Sequence, residues 1–204
     1  ERFHDYLTDV DAAISLGRER MPDGPLFLIG HSMGGLVVAS WIAAHGDKAA
    51  GFIVTSPAMG VALAVPGWKD ALGRVMSRFI PGLSIPTGLD PKLVSRDPAV
   101  VEAYVGDRLI LTTATARWYV EFLAAQERAL QGAPSVKVPA LIMQAGADGL
   151  VDPAASERYA NALGGEDVTF SRHEGLYHEL FNEPEQREIL AAVVAWLDAR
   201  GSAS

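Results

Sequence analysis

Three adjacent features limit what this chain can fold into. Leu26-Phe27-Leu28-Ile29 is an apolar run without polar alternation, Gly30-His31-Ser32-Met33-Gly34 follows at once, and a mostly apolar helical pattern runs from about Gly34 to His45. An apolar run of that kind suits a strand buried on both faces of a parallel sheet. A helix starting directly after such a strand requires a turn too tight for bulky flanking side chains, which predicts the roles of Gly30 and Gly34. The turn lifts the Ser32 hydroxyl above the sheet, beside the helix N-terminus. There the Met33 N–H and the helix dipole can face a developing oxyanion.

The rest of the chain repeats the alternation. Residues 3–20 carry Phe3, Tyr6, Leu7, Val10, Ala13 and Ile14 at helical spacing. Gly46 is placed to end the helix that follows Ser32. Phe52-Ile53-Val54-Thr55 and Ala140-Leu141-Ile142-Met143 read as further buried strands. A helix near 153–163, a strand near 168–171 and a closing helix near 184–200 complete a βα pattern. Asn182 and Glu185 are spaced as a capping box for that last helix, with Ile189, Leu190, Val193, Val194 and Leu197 toward the core. Six of the 12 prolines fall between Pro57 and Pro98, which opposes long regular elements and predicts an inserted segment. Within it, helices are readable near 68–80 (Trp68, Leu72, Val75, Met76, Phe79) and 113–131 (Trp118, Phe122, Ala125).

Composition excludes several classes of function. A net charge of -8 with no Lys/Arg cluster argues against nucleic acid as a partner. With no cysteine, thiol catalysis, disulfides and cysteine metal sites are out. No apolar run is long enough to span a bilayer, and the first residues do not form a signal peptide, so the cytoplasm is the default location. No metal cluster or phosphate loop is visible, and no cofactor is expected.

A serine hydroxyl needs a base to become a nucleophile. On strand–turn–helix scaffolds of this type the partners follow in the order Ser, acid, His, on loops beyond strand C-terminal ends. The loop after strand 140–145 offers Asp148 and Asp152. Asp148 lies nearer the strand end and is preferred, while Asp152 precedes Pro153 as a helix N-cap. Of five histidines, His4 and His45 lie on early helices, His31 lies inside the elbow and is expected to point away from the reacting centre, and His173 is too close to a strand end. His178 lies a loop further on and is the preferred base. Glu174 and Glu179 read as a solvated edge.

The segments around these residues carry a resemblance. Ile29-Gly30-His31-Ser32-Met33-Gly34-Gly35, the stretch from Ala145 to Pro153, and Leu176-Tyr177-His178-Glu179-Leu180-Phe181 closely resemble bacterial monoacylglycerol lipase and lysophospholipase-like α/β-hydrolases. Pro86-Thr87-Gly88-Leu89-Asp90-Pro91 and Ser95-Arg96-Asp97-Pro98 resemble the cap of that family. The resemblance implies an α/β-hydrolase fold with a mostly helical cap, Ser32, Asp148 and His178 as a triad, and Met33 as one oxyanion donor. It implies core segments at 1–57 and 139–204 around a cap at 58–138. The substrate class is then an acyl ester or lipid, with Val61, Leu63, Val65, Trp68, Leu72 and Phe79 as candidate lining of an acyl-chain tunnel and a cap able to touch membrane surfaces.

Members of that family begin with strands before the helix at 3–20, one leading into a loop that supplies a second oxyanion N–H. Those strands are absent from this sequence, so a further N-terminal segment is expected to complete the sheet and protect an apolar edge at 26–29. Three alternatives stay open: a short-chain carboxylesterase, an aminopeptidase reading a substrate amine through Asp90, Asp97, Glu102 or Asp107, and a non-catalytic binding module of the same fold.

Overall fold

A computed structural model describes residues 2–62, 73 and 75–201. Helix α1 (Phe3–Arg20) is followed by strand β1 (Phe27–His31), helix α2 (Met33–His45) and strand β2 (Gly51–Thr55). Next come β3 (Ser84–Pro86), α3 (Pro98–Gly106), β4 (Thr113–Thr115) and α4 (Ala116–Gly132). The chain closes with β5 (Ala140–Ala145), α5 (Pro153–Ala162), β6 (Val168–His173) and α6 (Gln186–Gly201).

The main sheet has the order β1-β2-β5-β6, all parallel. The central strands β2 and β5 are buried at every residue, as their unbroken apolar runs predict. One face is covered by α1, α2, α4 and α5 around Leu36, Trp41, Ile42, Phe52, Val54 and Phe122. The other packs α6 against Ile53, Leu141 and Met143. Each fully buried Leu, Ile or Phe contributes roughly 1.5–3 kcal/mol, so these two layers dominate the stability of the domain. Trp41 places its indole N–H 2.8 Å from Asp11, tying α2 to α1. The edge of β1 away from β2 pairs with no strand among the described residues, and Ile29 on it is 49% exposed.

Several expectations are corrected. Asn182 does not cap the closing helix. Its amide donates to Glu179 while Glu185 pairs with Arg96, and α6 begins only at Gln186. Leu190 and Val194 are exposed on α6; the buried row is Ile189, Val193 and Trp196, because the helix presents a stripe narrower than its apolar sequence. Ala13 of α1 faces solvent. The 113–131 helix is α4, with Trp118 stacked on Phe122 at 4.9 Å. Of the helix expected near 68–80, residues 75–79 are helical; Trp68 and Leu72 lie outside the described residues. The stretch 84–115 also holds two elements the periodicity does not announce. These are the antiparallel β3–β4 ribbon and helix α3, capped by Asp97 with Pro98 behind it.

Candidate active site

β1 delivers the chain to Ser32 and α2 carries it away. Ser32 sits at φ 53°, ψ -120°, which a residue with a Cβ occupies only when its surroundings hold it there. Its N–H donates to the Thr55 carbonyl at 3.0 Å, and its carbonyl accepts from Leu36 (3.2 Å) and Ala58 (2.9 Å). A Cβ on Gly30 would lie 2.7 Å from the Gly34 carbonyl carbon, and one on Gly35 would lie 2.9 Å from the Pro57 Cβ. At Gly34 a Cβ meets nothing within 4 Å. The expectation that Gly34 is sterically required is therefore corrected; close approach demands glycine at 30 and 35.

β5 ends at Ala145 and the following loop brings in Asp148, 8% exposed. Its Oδ1 accepts the N–H groups of Leu150 (2.9 Å) and Val151 (3.0 Å). Its Oδ2 lies 2.8 Å from His178 Nδ1 and 3.2 Å from Gln144 Nε2. Burial alone would raise this carboxyl. The hydrogen bond and charge of His178, with the two backbone donors, outweigh burial and hold it below the ordinary carboxylate range. An ionised carboxylate only accepts, so His178 donates from Nδ1, and in the neutral ring this leaves Nε2 as an acceptor toward Ser32 Oγ, 2.9 Å away. His178 is 5% exposed. Ser32, Asp148 and His178 thus form one hydrogen-bonded chain. Asp152 stands outside it, capping α5 by accepting from Ala154 at 3.0 Å.

His31 departs from its expected orientation. Its ring lies against that of His178, centroids 4.7 Å apart, and its Nδ1 is 3.0 Å from both the carbonyl and the hydroxyl of Thr55. Thr55 is its register partner on β2, which fixes the ring there. Burial, with the neighbouring His178, pushes His31 down to about 4. His173 ends β6 and contacts Ser171 at 3.1 Å. Of the candidate lining residues, Leu63, Val65, Trp68 and Leu72 lie outside the described residues. Val61 bridges to Val151 beside the acid loop, and Phe79 is 73% exposed.

Sequence reasoning missed Gln144. It is fully buried, accepts from Ser156 Oγ at 2.6 Å and donates to the Asp148 oxygen that faces His178. One polar residue inside the apolar run 140–145 was the available signal, since a buried amide must find partners.

A parallel sheet with a strained serine elbow, and an acid and a histidine on the loops after two further strands, defines the α/β-hydrolase class. The chain belongs to the family described as serine aminopeptidase, S33, which matches residues 1–185. It is 36% identical over 198 residues to the phospholipase YtpA of Bacillus subtilis, covering 96% of this chain and 76% of that protein. To the monoacylglycerol lipase of Mycolicibacterium smegmatis it is 29% identical over 197 residues, covering 95% and 69%. The crystal structure of Paleococcus ferrophilus monoacylglycerol lipase superposes with a TM-score of 0.89 at 33% identity, covering 98% of this chain and 76% of that one. The resemblance to monoacylglycerol lipase and lysophospholipase-like hydrolases is borne out by these relatives.

Proposed function

We propose that this chain is a serine ester hydrolase of the monoacylglycerol lipase or lysophospholipase type, with Ser32 as nucleophile, His178 as base and Asp148 as the acid that orients it. The observation that carries the reading is the unbroken Asp148–His178–Ser32 chain at 2.8 and 2.9 Å, built on an elbow whose serine is held in strain. Ser32 Oγ attacks the ester carbonyl as His178 Nε2 takes its proton. The Met33 N–H, at the first residue of α2, is one donor to the oxyanion. His178 then protonates the departing alcohol, and a water it activates cleaves the acyl-enzyme.

The substrate class rests on relatives called monoacylglycerol lipase and phospholipase and on the apolar side chains that the segment 58–138, read as a cap, exposes at Phe79, Val105, Leu109 and Leu111. That surface also supports transient contact with lipid, for which Leu109 and Leu111 exchanged for Ser should abolish vesicle binding. At the free edge of β1 we propose that a further strand segment docks and brings the second oxyanion donor; slow exchange of the β1 amides that face away from β2 would accompany it. The cytoplasm is the proposed compartment, to be tested by cell fractionation.

The family description favours a second reading, an aminopeptidase. Such an enzyme needs acids free to bind an amine, yet Asp90, Asp97 and Asp107 each accept a local backbone N–H as turn or helix caps. Parallel assays on a monoacylglycerol, a lysophospholipid, p-nitrophenyl butyrate and an aminoacyl p-nitroanilide decide between the readings. Turnover of the acyl esters that is lost in Ser32→Ala is expected. Preferential anilide cleavage would favour the peptidase, and no turnover at all the binding module.

A further inference from the structure

Residues 93–97 belong by sequence to the inserted segment, yet they are stitched to the loop that carries His178. The His178 N–H donates to the Leu93 carbonyl at 3.4 Å, and the Glu179 N–H donates to the Val94 carbonyl at 2.8 Å. Ser95 Oγ donates to the Asn182 carbonyl at 2.9 Å. Arg96 closes the seam. Its backbone N–H reaches Glu183 Oε1 at 2.6 Å, its Nε bonds the other oxygen of Glu183, and its terminal nitrogen bonds Glu185. Val94 and Ser95 are buried in this seam, and Leu93 packs over Gly149, where a Cβ would come within 3.0 Å of it, next to Asp148.

Glu183 is the unusual member. Its side chain is 0% exposed, and the oxygen that meets the guanidinium also accepts the N–H of Tyr177 at 3.2 Å. One carboxylate therefore spans the loop from Arg96 to the residue beside His178. Burial alone would raise this carboxyl, but the Arg96 side chain, the Arg96 backbone N–H and the Tyr177 N–H hold it below its usual range, so it stays charged. A buried ion pair is a poor way to gain stability, since apolar side chains of similar volume do as well. What a fully hydrogen-bonded pair adds is fixed geometry.

We infer that the Arg96–Glu183 pair is a positioning device for His178, through which the inserted segment sets the base over Ser32. This inference rests on the triad reading above. Arg96 and Glu183 touch no reacting atom; they act by holding both sides of 177–179. A misplacement of the base by about 1 Å is enough to cost on the order of 10²-fold in rate.

The test starts with wild type and Ser32→Ala exposed to a small ethyl fluorophosphonate; labelling of the first and not the second establishes Ser32 as the activated nucleophile independently of the pair. Arg96→Met, Arg96→Lys and Glu183→Gln are then compared by labelling rate, by kcat and KM for p-nitrophenyl acetate, and by the downfield proton NMR signal of the His178–Asp148 hydrogen bond. All are measured at a temperature where circular dichroism shows them folded. Arg96→Met and Glu183→Gln are expected to lower labelling rate and kcat together by about tenfold or more, with KM little changed and the downfield signal shifted or broadened. Arg96→Lys, keeping the charge without the fork, should recover part of the loss. If Glu183→Gln does not fold, the two Arg96 variants carry the test, because that side chain is 34% exposed. Folded Arg96 variants with wild-type labelling, kcat and NMR signal would overturn the inference and leave the pair a tether only.

Discussion

Exchanging Asp148 for Asn removes one charge from the site, and the hydrogen bonds around that carboxylate dictate the consequence. Oδ1 accepts two backbone N–H groups, Leu150 and Val151, at 2.9 and 3.0 Å. An acceptor must stay there, so asparagine places its carbonyl oxygen at that corner and its NH₂ at the other. The other corner faces two donors, His178 Nδ1 at 2.8 Å and Gln144 Nε2 at 3.2 Å. Nδ1 can meet the new NH₂ only as an acceptor, so the ring proton moves to Nε2, which then points a hydrogen at Ser32 Oγ. The shape survives and the base is lost. A wrong tautomer of this kind costs about 10⁴ in kcat, about 5 kcal/mol of transition-state stabilisation at 1.36 kcal/mol per decade. The facing amides of Gln144 and the new asparagine cost a further ~1–3 kcal/mol of stability. Kinetics on p-nitrophenyl butyrate, with melting curves, measure both effects. Asp152→Ala is the control: it loses the α5 cap, worth about 1 kcal/mol, and keeps kcat. Asp148→Asn within tenfold of wild type, or Asp152→Ala with an equal loss of kcat, would refute the assignment of the acid.

The same geometry predicts three further outcomes. With His31 pushed down to about 4, the unfolded chain takes up a proton between about pH 6.5 and 4 that the folded chain refuses, so stability falls as pH drops through that window, by up to about 3 kcal/mol. Urea midpoints at pH 7, 5.5 and 4 should show that fall and His31→Gln should flatten it; below about pH 4 protonation of Asp148 and Glu183, whose carboxyls are held low, adds a further loss. Gly30→Ala forces a Cβ against the Gly34 and Gly35 backbone and should cost about 1–3 kcal/mol or more in thermal denaturation, whereas Gly34→Ala should be mild. Gln144→Leu removes a donor from the ionised acid and leaves the Ser156 hydroxyl only the Pro57 carbonyl at 3.4 Å; a loss of about 1.5–3 kcal/mol, read as a fall of ten- to a hundredfold in kcat, is expected from steady-state kinetics.

The chemistry legible in the sequence was that carried by adjacent residues. The elbow, the four strands of the sheet and the choice of Asp148 and His178 by loop position all rest on local pattern, and the sheet needs only the βα alternation to be inferred; of the three runs read as buried, β1 is only partly covered, with Ile29 49% exposed. Relations between distant segments stayed hidden. The pairing of Arg96 with Glu183 and Glu185 joins positions nearly ninety residues apart, so local spacing alone casts Glu185 as a capping partner of Asn182. The ring of His31 turns toward His178 because the residue that orients it, Thr55, lies on the neighbouring strand, out of reach of local pattern. Helix α3 was missed although Asp97-Pro98 announces a helix start; at nine residues it is too short for its periodicity to show.

The central claim is that Ser32 is an activated nucleophile, and intact mass after exposure to a serine-directed fluorophosphonate tests it most directly. The account predicts one adduct on the wild-type protein, absent in Ser32→Ala and formed much more slowly in His178→Ala. No adduct on folded wild-type protein, or an adduct that persists in Ser32→Ala, would contradict it.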